Sequence, residues 1–70
     1  MCHAILVKAL NANGAARPEI LAYDIASPDT ANFLVNSIAS SYPVHGHYAD
    51  TGRLWFYDVS GLHEIWAEAA

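Results

Sequence analysis

"LWFYDVSGLHEIWAEAA", residues 54–70, decides the fold, because its two halves carry different hydrophobic patterns. Leu54 to Val59 is a run of aromatic and branched residues of the kind that fills strands, and Ser60 with Gly61 interrupts it. Beyond the interruption, Leu62, Ile65, Trp66 and Ala69 follow the i, i+3, i+4, i+7 spacing of one buried helical stripe. His63, Glu64 and Glu68 fall outside that stripe. The segment is therefore predicted as a strand leading through a serine into a short final helix.

An echo lies upstream. "ILAYDI" at 20–25 resembles "LWFYDV" at 54–59, since each ends in Tyr-Asp and a branched residue and each is followed by a serine. After the first copy, Ser27 is an N-cap for a helix whose first residue is Pro28, with Asp29 favourable to the dipole. Ala31, Leu34, Val35, Ile38 and Tyr42 form its buried stripe, Pro43 ends it, and Phe33 falls on the outer side among uncharged polar residues. "HAILVKAL", 3–10, and "EILAYDIA", 19–26, read as strands joined by a loop over "NANGAARP", and "VHGHYAD" with "RLWFYDV" as a second hairpin. The expected fold is α+β in the order β-β-α-β-β-α, a single domain over 1–70. Two tandem β-β-α units, about 3–42 and 43–70, build a four-stranded antiparallel sheet with two helices on one face.

Side assignment follows from the second hairpin. With Thr51-Gly52 as a two-residue turn, Asp50 faces Arg53 and His45 faces Asp58. One side then collects Val44, Gly46, Tyr48, Trp55, Tyr57 and Val59, and the helices are expected to cover it together with Leu21, Tyr23 and Ile25. The open side collects Leu6, Lys8, Leu10, Ile20, Ala22, Asp24, His45, His47, Leu54, Phe56 and Asp58.

Composition says what such an open side is for. The 70 residues are 54% hydrophobic and only 14% charged, against roughly 25% charged in an average globular domain. A chain this short buries only about 60% of its unfolded surface, and a lone cysteine, Cys2, excludes an internal disulfide. Covering by another chain is the expected remedy, so a homodimer is predicted, with Leu6, Ile20, Phe33, Leu54 and Phe56 as contact residues. Another protein or a small ligand is the further partner class.

Three basic residues against seven acidic ones provide no basic stripe for a phosphate backbone, which argues against nucleic acid. Apolar runs are too short to span a membrane, the N-terminus has no positive leader, and a cytoplasmic protein is expected.

For chemistry, His45 and His47 share one side of a strand, and Asp58 opposite His45 would complete a zinc-binding or general-base set. That makes a metal-binding protein or small enzyme the alternative function. Asp50-Thr51-Gly52 is similar to the triplet of aspartic proteases over three residues only, is followed by Arg53, and is read as a turn. Cys2 before His3 is read as an incidental thiol. No catalytic residue and no cofactor is assigned, and the predicted activity is binding.

Overall fold

The computed structural model describes residues 2–10 and 18–69; the loop expected at 11–17 lies outside them. The element order is β1 His3–Ala9, β2 Glu19–Ile25, α1 Pro28–Ser40, β3 His45–His47, β4 Leu54–Asp58 and β5 Gly61–Ala69. All pairings are antiparallel, and the sheet runs β2-β1-β5-β4-β3. The fold is thus α+β, with a five-stranded antiparallel sheet and, among the described residues, one helix.

The helix forms as its sequence predicts. Ser27 holds an extended conformation and its Oγ accepts from the Asp29 and Thr30 amides at 3.2 and 3.5 Å, with Pro28 at the first helical position. Ala31, Val35 and Ala39 are buried, while Leu34, Ile38 and Tyr42 pack partly buried against the core. Phe33 on the outer side is 69% exposed.

The predicted final helix is a strand, and this corrects the sheet from four strands to five. Residues 62–69 show two periods at once: the helical stripe, and an alternation of Leu62, Glu64, Trp66, Glu68 with His63, Ile65, Ala67, Ala69. Alone, nine residues are too few to hold a helix in water. As a strand the segment fills the centre of the sheet, pairing with β1 from His63 to Ala69 and with β4 from Gly61 to Ile65. Val59-Ser60 is consequently a tight turn. Asp58 and Gly61 pair across a two-residue loop, the Asp58 carboxylate accepts from the Ser60 amide at 2.7 Å and hydroxyl at 2.6 Å, and Gly61 takes φ 121°, which a side chain would resist. The resemblance of 20–25 to 54–59 therefore stops at the strands themselves, since the first copy leads into a helix and the second into a strand.

The second hairpin turns over four residues, not two. Tyr48 N–H donates to Arg53 O at 2.8 Å, Gly52 N–H donates to Tyr48 O at 2.9 Å, and Gly52 has φ 75°. His45 now opposes Phe56 and His47 opposes Leu54. This moves the register by two residues, so the two sets of side chains survive intact.

Which set the helix covers is the reverse of the expectation. The core is Ile5, Val35, Ala39, Phe56 and Ile65, with Val7, Ala22, Ile25 and Leu54 packed against it. The cause is β5: its side shared with Ile65 and Ala67 is free of carboxylates, whereas its other side carries Glu64 and Glu68, and Lys8 lies beside Glu64. A helix laid on that second side would bury charge, which costs far more than leaving aromatic rings in water. Two register shifts in the β1–β2 ladder put both Ala22 and Ile25 on the helix side, leaving Leu21 50% and Tyr23 76% exposed.

Candidate functional site

Cross-strand partners arrange the helix-free side of the sheet in three rows. Ile20, Leu6 and Trp66 form the first, with Arg53, just before β4, over Trp66. Lys8, Glu64, Trp55 and Gly46 form the second. Leu10, Leu62, Tyr57 and Val44 form the third, tied by Leu10 N–H to Leu62 O and Tyr57 N–H to Val44 O, both 2.9 Å. Two rows made mainly of apolar residues thus flank one that mixes a cation, an anion and a tryptophan.

The charges on this side are held close to the sheet. The Arg53 guanidinium lies 4.2 Å above the centre of the Trp66 ring and its Nη1 is 3.4 Å from Glu64 Oε1. Trp66 Nε1 donates to Glu68 Oε1 at 3.1 Å, so the indole is capped by a cation and tethered by a carboxylate. Trp55 lies over Gly46 so closely that a Cβ there would come within 2.5 Å of its ring, and it meets Tyr57 edge-on at 6.1 Å. Tyr48, Trp55, Tyr57 and Leu62 line a shallow cleft of about 200 Å³.

Of the contact residues predicted from sequence, Leu6 and Ile20 stand on this side, with Ile20 63% exposed, and Phe33 stands on the outer helix surface. Leu54 and Phe56 do not. Phe56 is 3% exposed and stacked on Tyr42 at 4.1 Å, and Leu54 packs against the same core, so the assignment of both to the open side is corrected. Trp55, Tyr57 and Leu62 stand on the helix-free side instead. Strand alternation groups Trp55 with Tyr57, and only the choice of side concealed them; Leu62 was hidden by the helical reading of its segment.

The histidine set is also taken apart. His45 Nδ1 is 2.7 Å from the Tyr42 carbonyl, and the observed register leaves Asp58 two residues beyond its partner Phe56. Among the described residues no group of three or more His, Cys, Asp or Glu side chains is placed to hold a metal ion. The contact that Asp58 does make is with His63, whose spacing in the sequence suggests the outer face of a helix. His63 Nδ1 lies 3.6 Å from Asp58 Oδ1 and 3.0 Å from Gly61 O, and its ring stacks on Phe56 at 5.3 Å.

Ser60, His63 and Asp58 contain the residue types of a hydrolytic triad, but the protons are in the wrong places. Ser60 Oγ is 3.4 Å from His63 Nε2 and only 2.6 Å from Asp58 Oδ1. A carboxylate can only accept, so the hydroxyl proton goes to Asp58 and not to the imidazole that would have to remove it. The two Ser60 hydrogen bonds, with a smaller contribution from the charge of His63, hold the Asp58 carboxyl below its ordinary range. This cluster secures the β4–β5 turn. At the other end of the sheet, Cys2 Sγ donates to Asp24 Oδ1 at 3.0 Å, and that hydrogen bond with the adjacent negative charge pushes the thiol pKa up, which suppresses the nucleophilic thiolate.

The chain matches no family model, no curated protein and no solved structure.

Proposed function

We propose that this is a small binding protein that acts as a homodimer, with the helix-free side of the sheet as its contact surface. The observation that carries the proposal is that the one described helix lies on one side of five strands. Leu6, Leu10, Ile20, Trp55, Tyr57 and Leu62 are left on the other. At about 25 cal/mol per Å², every 100 Å² of apolar surface taken from water there contributes about 2.5 kcal/mol to association. A few hundred Å² per copy suffices to outweigh the cost of immobilising two partners, about 4–15 kcal/mol.

A second copy fits the charges of this surface. Lys8 and Arg53 share it with Glu64 and Glu68, so it is balanced within itself. A two-fold axis can set the cations of one copy against the carboxylates of the other without leaving excess charge. Strongly basic or acidic partners gain nothing from a surface of this kind.

The test is the mass in solution. Light scattering across a concentration series is expected to give twice the 7.6 kDa chain mass, and Leu62→Lys is expected to return the protein to one copy while it stays folded. A wild-type chain that remains a monomer when concentrated refutes the proposal. So does a dimer that Leu62→Lys leaves intact.

A further inference from the structure

β5 is longer than its neighbour on one side. β4 begins at Leu54, opposite Ile65, while β5 continues to Ala69. The Leu10 amide donates to Leu62 O at 2.9 Å, and these residues are direct partners in the continued β1–β5 register. In an antiparallel ladder such a pair exchanges both bonds and the next pair exchanges none. Residues 62, 64, 66 and 68 therefore bond to β1, and residues 61, 63, 65, 67 and 69 turn their amides toward the β4 side. The first three of these meet Asp58, Phe56 and Leu54.

On its β4 side Ala67 meets no strand residue among the described ones. It stands where β4 would need residue 52, but the chain has already left the sheet, with Gly52 N–H committed to Tyr48 O at 2.9 Å. The N–H and C=O of Ala67 have no protein partner among the described residues, although Ala67 is half-buried and packs against the core. Main-chain groups that leave a ladder in this way are satisfied by water or by another chain. They open on a cavity of about 280 Å³ walled by Asn32 and Val35 of the helix, by Gly52, Arg53 and Leu54, and by Glu68.

We infer that this interruption of the sheet is a strand-addition site for an extended peptide, which lies in line with β4 and antiparallel to β5. One peptide residue exchanges both main-chain hydrogen bonds with Ala67. Antiparallel pairing is selected because a single residue then makes both bonds, whereas parallel pairing spreads them over a longer segment than the turn at Gly52 leaves room for. The side chain of that residue points the same way as Ala67, toward Val35 and Leu54, so a branched apolar residue suits it. The residue before it points the way Glu68 does and is best polar, and the peptide ends opposite Ala67 because Arg53 already holds the place opposite Trp66. The site lies along the end of β5 that outruns β4 and does not rest on the homodimer, so a monomeric protein retains it.

The test uses the full chain, labelled for amide NMR, and two probes that end opposite Ala67: acetyl-Thr-Val-amide, and the same peptide with its valine nitrogen methylated. The first is expected to shift the Ala67 amide downfield and to slow its hydrogen exchange by about tenfold or more. The methylated probe is expected to bind at least about tenfold more weakly, since it cannot donate to Ala67 O. Ala67→Pro removes the free N–H without touching the β1 ladder, because proline is tolerated where no ladder bond is made, and is expected to abolish the response. If that variant does not fold, the methylated probe still decides. Absence of any shift at millimolar peptide overturns the inference, as does equal affinity of the two probes or a response on β2 or β3 in place of residues 66–69. Protection of Ala67 that grows with protein concentration alone overturns it too, by naming a second copy as the occupant.

Discussion

Replacing Phe56 by alanine tests which side of the sheet is the core. The ring is 3% exposed and lies between Tyr42 at 4.1 Å and His63 at 5.3 Å. Truncating a buried phenylalanine costs about 3–5 kcal/mol, of which the aromatic pair accounts for about 0.5–1.5 kcal/mol. A chain of 70 residues has a total stability of about 3.5–10 kcal/mol at about 0.05–0.15 kcal/mol per residue. Phe56→Ala is therefore expected to remove between about a third and all of the folding free energy. Tyr57→Ala, one residue on, removes a ring that is 46% exposed on the opposite side. It is expected to cost less than about 1.5 kcal/mol of chain stability, and its effect should depend on protein concentration if that side is the dimer contact. Urea unfolding followed by tryptophan fluorescence at two protein concentrations measures both. Finding Phe56→Ala within about 1 kcal/mol of wild type while Tyr57→Ala costs several would reverse the two sides and refute the packing argument.

Further expectations rest on single contacts. Gly46→Ala places a Cβ within 2.5 Å of the Trp55 ring, so the indole must swing outward, and a red-shifted emission spectrum with a loss of about 1 kcal/mol is expected; an unchanged spectrum would count against the close approach. Ser27→Ala removes the oxygen that accepts from the Asp29 and Thr30 amides and should lower stability by about 1 kcal/mol, read as a lower urea midpoint with unchanged slope. The Asp58 carboxyl is held below its ordinary value of 3.8, so its contribution is fully present above that value and lost as pH falls through the lower folded pKa. The stability gap between wild type and Asp58→Ala should accordingly narrow only in acid, and a gap that is constant with pH would show that the Ser60 contacts do not depend on the charge.

The helix and its cap were readable because their signals are local: Ser27, Pro28 and the stripe from Ala31 to Tyr42 need no distant partner to act. Strand alternation likewise sorts Trp55 and Tyr57 from Leu54 and Phe56, because it is a property of the strand's own backbone. The hairpin length was ambiguous, since Asp50-Thr51-Gly52 supplies turn residues for a loop of two or of four, and the hydrogen bonds from Tyr48 and Gly52 choose the longer one. The proposed peptide site had no signature at all in the side chains. It consists of main-chain groups left over where one strand outruns another.

What the amino-acid order settled alone is a chain with one capped helix, several strands and a low share of charged residues. What waited for tertiary contacts is the state of residues 61–69, whose pattern suits a helix and a strand alike. β1 and β4 each offer it a ladder of hydrogen bonds, and a nine-residue helix has no comparable gain. Once that segment is a strand, Glu64 and Glu68 stand on one side of the sheet, and the cost of burying them sends the helix to the other.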